Sequence, residues 1–314
     1  MKWKFNISLF GYMNDNKTEP VIIIAAARSG TKMLRYVLSA SDEFAGYPYD
    51  ANYIWKYGNY TVKHDEIGPD SIQEGEKNKI RNFFLKICDK KGKPRLLEKS
   101  VPNSLRIPFV RSIFPGCAII HLYRNGLDVT PDARLCWQGS ASAERIQSKE
   151  DRVRKLKEFP LPMAWPYLLE YIKNYAKKTL LRKAHVESWG PRYKGIDSDV
   201  QNKSLIEVCA IQWAKCVDHC CQELNRLENG IDYMNLCYEQ LISYPSEQLE
   251  RVVDFLNLTD GHKVITRGKE VIKADYVQSW KDYITSDEYE KISGIIHERQ
   301  NMLDNLEQRN NGWE

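Results

Sequence analysis

VIIIAAARSGTKMLRYVL, residues Val21 to Leu38, reads as a strand, a turn and a helix in direct succession. Val21 to Ala27 is a continuous apolar run of strand length, the pattern of a strand covered on both faces. Met33, Leu34, Val37 and Leu38 then recur at helical spacing and predict a helix from Thr31 to Ser39. Between them lies AAARSGTK, Ala25 to Lys32. A strand that feeds a helix through small residues exposes backbone N–H groups at the helix N-terminus, where the donors and the helix dipole together bind a phosphate. Gly30 lets the backbone approach the anion, the hydroxyls of Ser29 and Thr31 add donors, and Arg28 and Lys32 supply charge.

Strands and helices continue to alternate beyond this segment. Helices are predicted over Ser71–Lys90, Pro102–Phe114, Asp128–Trp137, Ser204–Glu228, Ser246–Leu256 and Ser286 to about Leu306. Strands are predicted at Arg95–Glu98, Cys117–Tyr123 and Tyr233–Cys237. A polar and aromatic loop, GYPYDANYIWKYGN, follows the first helix, and ITRGKEVIK reads as a charged loop. Pro131 is tolerable only near a first helical turn. The alternation implies an α/β fold with a central, mostly parallel sheet flanked by helices. Residues 138 to 204 are basic, aromatic and interrupted by proline and glycine, and read as a helical insertion. We therefore expect one domain over 1–314, its core at about 19–137 and 205–306 and the insertion at about 138–204.

The chain has 314 residues, 42% of them hydrophobic and 28% charged, enough to build a substantial core under an ordinary polar surface. A net charge of +4 suits phosphate- or sulfate-bearing ligands but is too weak to argue for nucleic acid. No apolar run approaches the roughly 20 residues needed to cross a bilayer. The N-terminal stretch reads as a leader strand or frayed end and not as a signal peptide. The eight cysteines lack a framework spacing, which points to reduced thiols and a cytoplasmic setting. Cys216, His219, Cys220 and Cys221 invite a metal reading. However, Cys209, Trp213, Cys216, Val217, Cys220 and Leu224 follow helical spacing and read as one buried face, so no metal is expected.

A Walker A loop requires G-x-x-x-x-G-K-[ST]. Here Ala25 stands at the first glycine, and the order is Gly30-Thr31-Lys32, so a kinase of the P-loop type is the alternative and not the first reading. RSGT between a buried strand and a helix resembles the 5′-phosphosulfate loop of the sulfotransferases that use 3′-phosphoadenosine-5′-phosphosulfate (PAPS). The likeness is closest to the tyrosylprotein and carbohydrate branches, which also carry Arg in the loop. LLEKSVPNSLRIPFVRSIFPGCAIIHLYRNGLDV resembles that family's central block, MNLCYEQLISYPSEQLERVVDFLNL its third strand with a Tyr-Glu-x-Leu turn, and ITRGKEVIKADYVQSW its cofactor-closing loop.

The resemblance implies a P-loop-like sulfotransferase fold, PAPS as donor and a hydroxyl acceptor. Arg28, Ser29, Gly30, Thr31 and Lys32 would hold the phosphosulfate, and Arg124 the 3′-phosphate. In the family a serine eight residues beyond that arginine helps; this chain has Asp132 there, with Thr130 as a possible substitute. An acidic side chain beside a phosphate costs affinity unless it is turned away or bridged by a cation. This departure is also the best argument for a non-catalytic, nucleotide-binding relative. Tyr238 would lie near the adenosine, Glu239 would hold its turn together, and Lys269 and Lys273 are weaker candidates for the 3′-phosphate. Lys99 matches the family's catalytic lysine, working with Arg28. Asp50 is the first choice for general base, Glu98 the second (or simply the partner of Lys99) and His64 the third. Trp137, Trp165, Tyr167, Tyr171, Tyr175, Trp189 and Tyr193 offer aromatic faces for a carbohydrate or glycolipid acceptor, although such spacing more often marks core. A protein tyrosine is the other acceptor that the resemblance allows.

Overall fold

The computed structural model describes residues 19–47, 50–139, 189–273 and 280–310. Five strands form one sheet: β1 (Val21–Ile24), β2 (Phe44–Gly46), β3 (Arg95–Lys99), β4 (Ala118–Tyr123) and β5 (Tyr233–Cys237). Their order is β2-β3-β1-β4-β5, and every neighbouring pair is parallel. This is the α/β class expected from the sequence, with β1 at the centre.

The period of two along β1 explains why it is apolar throughout. Ile22 and Ile24 enter one core cluster with residues of α3 (Glu74–Lys91) and α4 (Ile107–Ile113). Val21 and Ile23 enter another on the opposite face, with Leu34, Val37 and Leu38 of α1 (Thr31–Leu38). Each such fully buried isoleucine stabilises the fold by about 1.5–3 kcal/mol over an exposed one. A third cluster gathers α5 (Gly126–Trp137), α6 (Ile196–Asn202), α7 (Leu205–Leu224) and α11 (Ser286–Asn310). The remaining helices are α2 (Asn52–Trp55), α8 (Tyr238–Ser243), α9 (Pro245–Leu256) and α10 (Gly261–Val271).

Several expectations require correction. β1 ends at Ile24, not Ala27, because the chain leaves the sheet to form the loop before α1. β2 and α2 lie in and beside the stretch read as a loop; three and four residues are too few to show a period. The segment Pro102–Phe114 divides into a 3₁₀ turn, Val101–Leu105, and α4. Pro131 is the sixth residue of α5, beyond its first turn, because α5 starts at Gly126 behind the Asn125 cap.

The expected charged loop ITRGKEV is the second half of α10. Two glycines and four charged residues disguise the buried positions Val264 and Gly268. A Cβ on Gly268 would lie 2.0 Å from the Leu249 side chain of α9, so glycine is what allows this packing. Trp165, Tyr167, Tyr171 and Tyr175 lie outside the described residues. No helix among the described residues is long and apolar enough to cross a membrane.

Candidate anion and proton-transfer site

A parallel sheet places all its strand C-termini on one edge, and ligands of open α/β sheets bind there, where the strand order reverses. That reversal flanks β1. In register, Ile23 faces Lys99 of β3 and Ile24 faces His121 of β4. The loop after β1 therefore meets the end of β3 on one side and, through Arg124, the end of β4 on the other.

The loop is a tight turn that runs straight into α1, and a turn of this form can cradle an anion. Gly30 caps α1 in the left-handed region, φ +86°, and Arg28 is also left-handed at φ +72°. A Cβ on Gly30 would sit 2.6 Å from the Tyr238 ring, so only glycine fits beneath that tyrosine. Ser29 is fully buried, and among the described residues its hydroxyl has no hydrogen-bond partner, as is true of Arg28 Nε. Buried polar atoms are ordinarily satisfied, and two unsatisfied donors beside a helix N-terminus are what an anion would complete. Thr31 is buried at the first position of α1.

Lys99 ends β3 with its side chain only 3% exposed, and its ammonium is paired with the Asp50 carboxylate, which is 44% exposed. Lys32 stands near both. Burial, then the charges of Lys99 and Arg28, push its pKa down, and Asp50 opposes them. One carboxylate and three cations thus share this part of the sheet edge.

Glu98 is arranged differently from the expectation. It has no exposure, and burial pushes its pKa up to about 7. The Ser100 hydroxyl donates to Oε1 at 2.5 Å and the Asn103 amide to Oε2 at 3.1 Å. Both oxygens are thus engaged and away from solvent, and the carboxylate paired with Lys99 is that of Asp50. Ser100 in turn accepts from the Ala51 backbone N–H at 2.8 Å, tying the residue after Asp50 to β3. Asn103 also accepts from Arg106, whose guanidinium donates to Asn52 and lies 3.6 Å from the buried Asp65. Nothing in the sequence signals this network, because its members are far apart and share no period. His64 belongs to its rim: its carbonyl accepts from Lys56, which is 3.9 Å from Asp65.

At the end of β4, Arg124 Nη1 donates to the Arg28 carbonyl at 3.0 Å and to Asp132 at 3.1 Å. Its guanidinium lies 4.7 Å from the Tyr238 ring centroid, a cation–π contact. Asp132 also faces Arg28 at 3.9 Å, so it points into this group and sets its negative charge against both arginines. Thr130 is fully buried and donates to the Gly126 carbonyl at 2.6 Å, which commits its proton within α5 and corrects its expected place as a phosphate donor. Glu239 accepts from the Asn125 backbone N–H at 3.0 Å and joins α8 to the β4–α5 turn.

Lys269 is an exposed residue on α10, and Lys273 an exposed residue just beyond it; neither is tied to the Arg124 group by a described contact. Trp137 and Tyr193 are core residues, and Trp189 packs against the same cluster, so these three are not an exposed stacking platform. The cysteines of α7 are buried, and burial pushes the thiols of Cys216 up to about 12 and Cys221 up to about 11. Among the described residues no three His, Cys, Asp or Glu side chains are grouped to hold a metal ion.

The fold and the site together define an α/β protein with a Gly30-capped strand-to-helix turn and a lysine–carboxylate pair at the carboxyl edge of a parallel sheet. No family model matches the chain. A stretch of 121 residues is 26% identical to an uncharacterised protein of Aquifex aeolicus strain VF5; the match covers 35% of this chain and only 16% of that protein. Among solved structures, the chain is similar to a sulfotransferase domain from the curacin biosynthetic pathway, with TM-score 0.49, 13% identity and coverage of 92% of this chain and 97% of the other. It is also similar to a sulfotransferase from Alicyclobacillus acidocaldarius, with TM-score 0.46, 14% identity and coverage of 92% and 95%. The sulfotransferase STF9 from Mycobacterium avium gives TM-score 0.47 and 12% identity over 90% of this chain and 76% of the other. At this level of likeness the side chains at the strand ends, and not the neighbours' activities, bear on function.

Proposed function

We propose that the chain is a sulfotransferase that carries a sulfuryl group from PAPS to a hydroxyl acceptor, a carbohydrate or glycolipid in the first instance, in the cytoplasm. The observation that carries this reading is the meeting of the Ser29–Gly30–Thr31 cradle with the Lys99–Asp50 pair at one sheet edge. The buried, unsatisfied donors of Ser29 and Arg28 fit an anionic group of the donor's kind. When bound, the donor supplies an activated sulfuryl group. The chain's own residues orient it and neutralise charge: the amides of the cradle and Arg28 hold the anion, and Lys99 and Lys32 add positive field. Asp50, nearly half exposed, is the carboxylate an acceptor hydroxyl can reach, and it takes the proton. Seven buried cysteine thiols suit a reducing compartment.

Phosphoryl transfer from a magnesium nucleotide would ask for oxygen ligands at the strand ends. β3 ends in Lys99 and β4 runs into Arg124, and the carboxylates Asp50 and Asp132 are each paired with those cations. The charge pattern therefore favours a sulfuryl donor over a kinase. The direct test is thermal unfolding with 3′-phosphoadenosine 5′-phosphate, the product nucleotide. The nucleotide should raise Tm, and Arg28→Ala should abolish the rise; no rise in the parent protein contradicts the reading.

A further inference from the structure

Asp132 sits where the nucleotide site would end, and its geometry bears on which nucleotide enters. Arg124 Nη1 reaches both the Arg28 carbonyl and Asp132 Oδ2, at 3.0 and 3.1 Å. The same Oδ2 lies 3.9 Å from Arg28 Nη2. Arg124 is 6% exposed and Asp132 15%, so this charge pairing is largely shielded from water. A phosphate dianion brought to Arg124 would meet a carboxylate already holding the same guanidinium, and repulsion would offset the attraction. A ribose hydroxyl has the opposite relation to the group, because it donates to a carboxylate. Dinucleotide sites use the same division: an acidic side chain reads a ribose hydroxyl, and an arginine accommodates a phosphate. Arg124 is bonded to the Arg28 carbonyl at the start of the cradle, so the Arg124–Asp132 pair adjoins the place a cradled 5′-phosphate would take. The Thr130 hydroxyl, donating to Gly126, leaves this acidic character unchanged.

We propose that Asp132 acts as an internal counter-ion that removes selection for a 3′-phosphate. The site then takes nucleoside 5′-phosphates with a free 3′-hydroxyl at least as tightly as their 3′-phosphorylated counterparts. The inference rests on the nucleotide reading above and concerns the far end of that site.

Calorimetric titration of the full chain at fixed salt with adenosine 5′-phosphate and 3′-phosphoadenosine 5′-phosphate tests it. The parent should bind the monophosphate as tightly as the bisphosphate or more so. Asp132→Ser and Asp132→Asn should each move the ratio of dissociation constants toward the bisphosphate by about tenfold or more. Asn keeps the size of the side chain, so the result does not depend on Ser being tolerated. A parent that prefers the bisphosphate by about tenfold, or a ratio unmoved in both variants, overturns the inference alone. Failure of the parent to bind either nucleotide removes the nucleotide reading itself and the inference with it.

Discussion

The Lys99 ammonium, buried at the end of β3, is paired with the half-exposed carboxylate of Asp50 from the chain beyond β2. The pair joins two strands' ends and places an acid–base group beside a fixed positive charge. Asp50→Asn should keep nucleotide binding and lose transfer by about 10²–10⁴-fold in kcat, the range ascribed to a general base. An unimpaired rate would remove Asp50 from the proton-transfer step. Stability should fall as well, because the substitution leaves the buried Lys99 ammonium without its counter-charge, and denaturant unfolding reads that loss separately from the rate.

Gly30 should be irreplaceable for a steric reason independent of chemistry. Gly30→Ala puts a Cβ 2.6 Å from the Tyr238 ring at a positive φ. Denaturant unfolding should show a loss of about 1–3 kcal/mol, the range for strained backbone positions. The double variant Gly30→Ala/Tyr238→Ala should recover the steric part but not the backbone part.

Two buried groups shape the dependence of stability on pH, with opposite signs. Glu98 is raised from 4.5 to about 7 by burial. The unfolded state sheds its proton first, so stability falls as pH rises between those values and is constant above them, by about 3 kcal/mol in all. His121 is lowered from 6.5 to about 4, again chiefly by burial, although its Nδ1 is 2.8 Å from Asn235 Oδ1. Here the unfolded state binds the proton first, so stability rises with pH from 4 to 6.5. The two slopes oppose one another between 4.5 and 6.5 and flatten the profile. Glu98→Gln should leave a rising limb over that window in pH-dependent denaturant melts; a profile as flat as the parent's contradicts the burial of Glu98 as described.

Thiol accessibility separates one cysteine from the other seven. Cys237 is partly exposed, whereas Cys88, Cys117, Cys136, Cys209, Cys216, Cys220 and Cys221 are buried. Under native conditions a thiol reagent followed by mass spectrometry should modify Cys237 first, with the rest protected until unfolding. Rapid labelling of Cys216, Cys220 or Cys221 would contradict the packing of α7.

How far the fold could be read from the chain depended on element length and on where charge lay. β1 is an apolar run, β4 and β5 are apolar apart from His121 and Asn235, and α3, α7 and α11 are long enough to show a period. β2 and α2 are too short for that. α10 was hidden because glycine, a weak helix former, occupies its contact with Leu249. In the site, the cradle could be read because consecutive residues form it. The pairing of Asp50 with Lys99 could not, because forty-nine residues separate them and only the sheet order brings them together. Glu98 shows the limit most clearly: adjacency to Lys99 suggested a partner or a base, and strand alternation gave it a different, enclosed environment.

The measurement that bears most directly on the proposed activity is transfer of labelled sulfuryl from PAPS to a panel of hydroxyl-bearing carbohydrates and glycolipids, with release of the bisphosphate nucleotide followed in parallel. We predict label on at least one acceptor and equal release of nucleotide, both lost in Lys99→Ala. Consumption of ATP with magnesium by a protein that neither binds nor consumes the phosphosulfate donor would contradict the account.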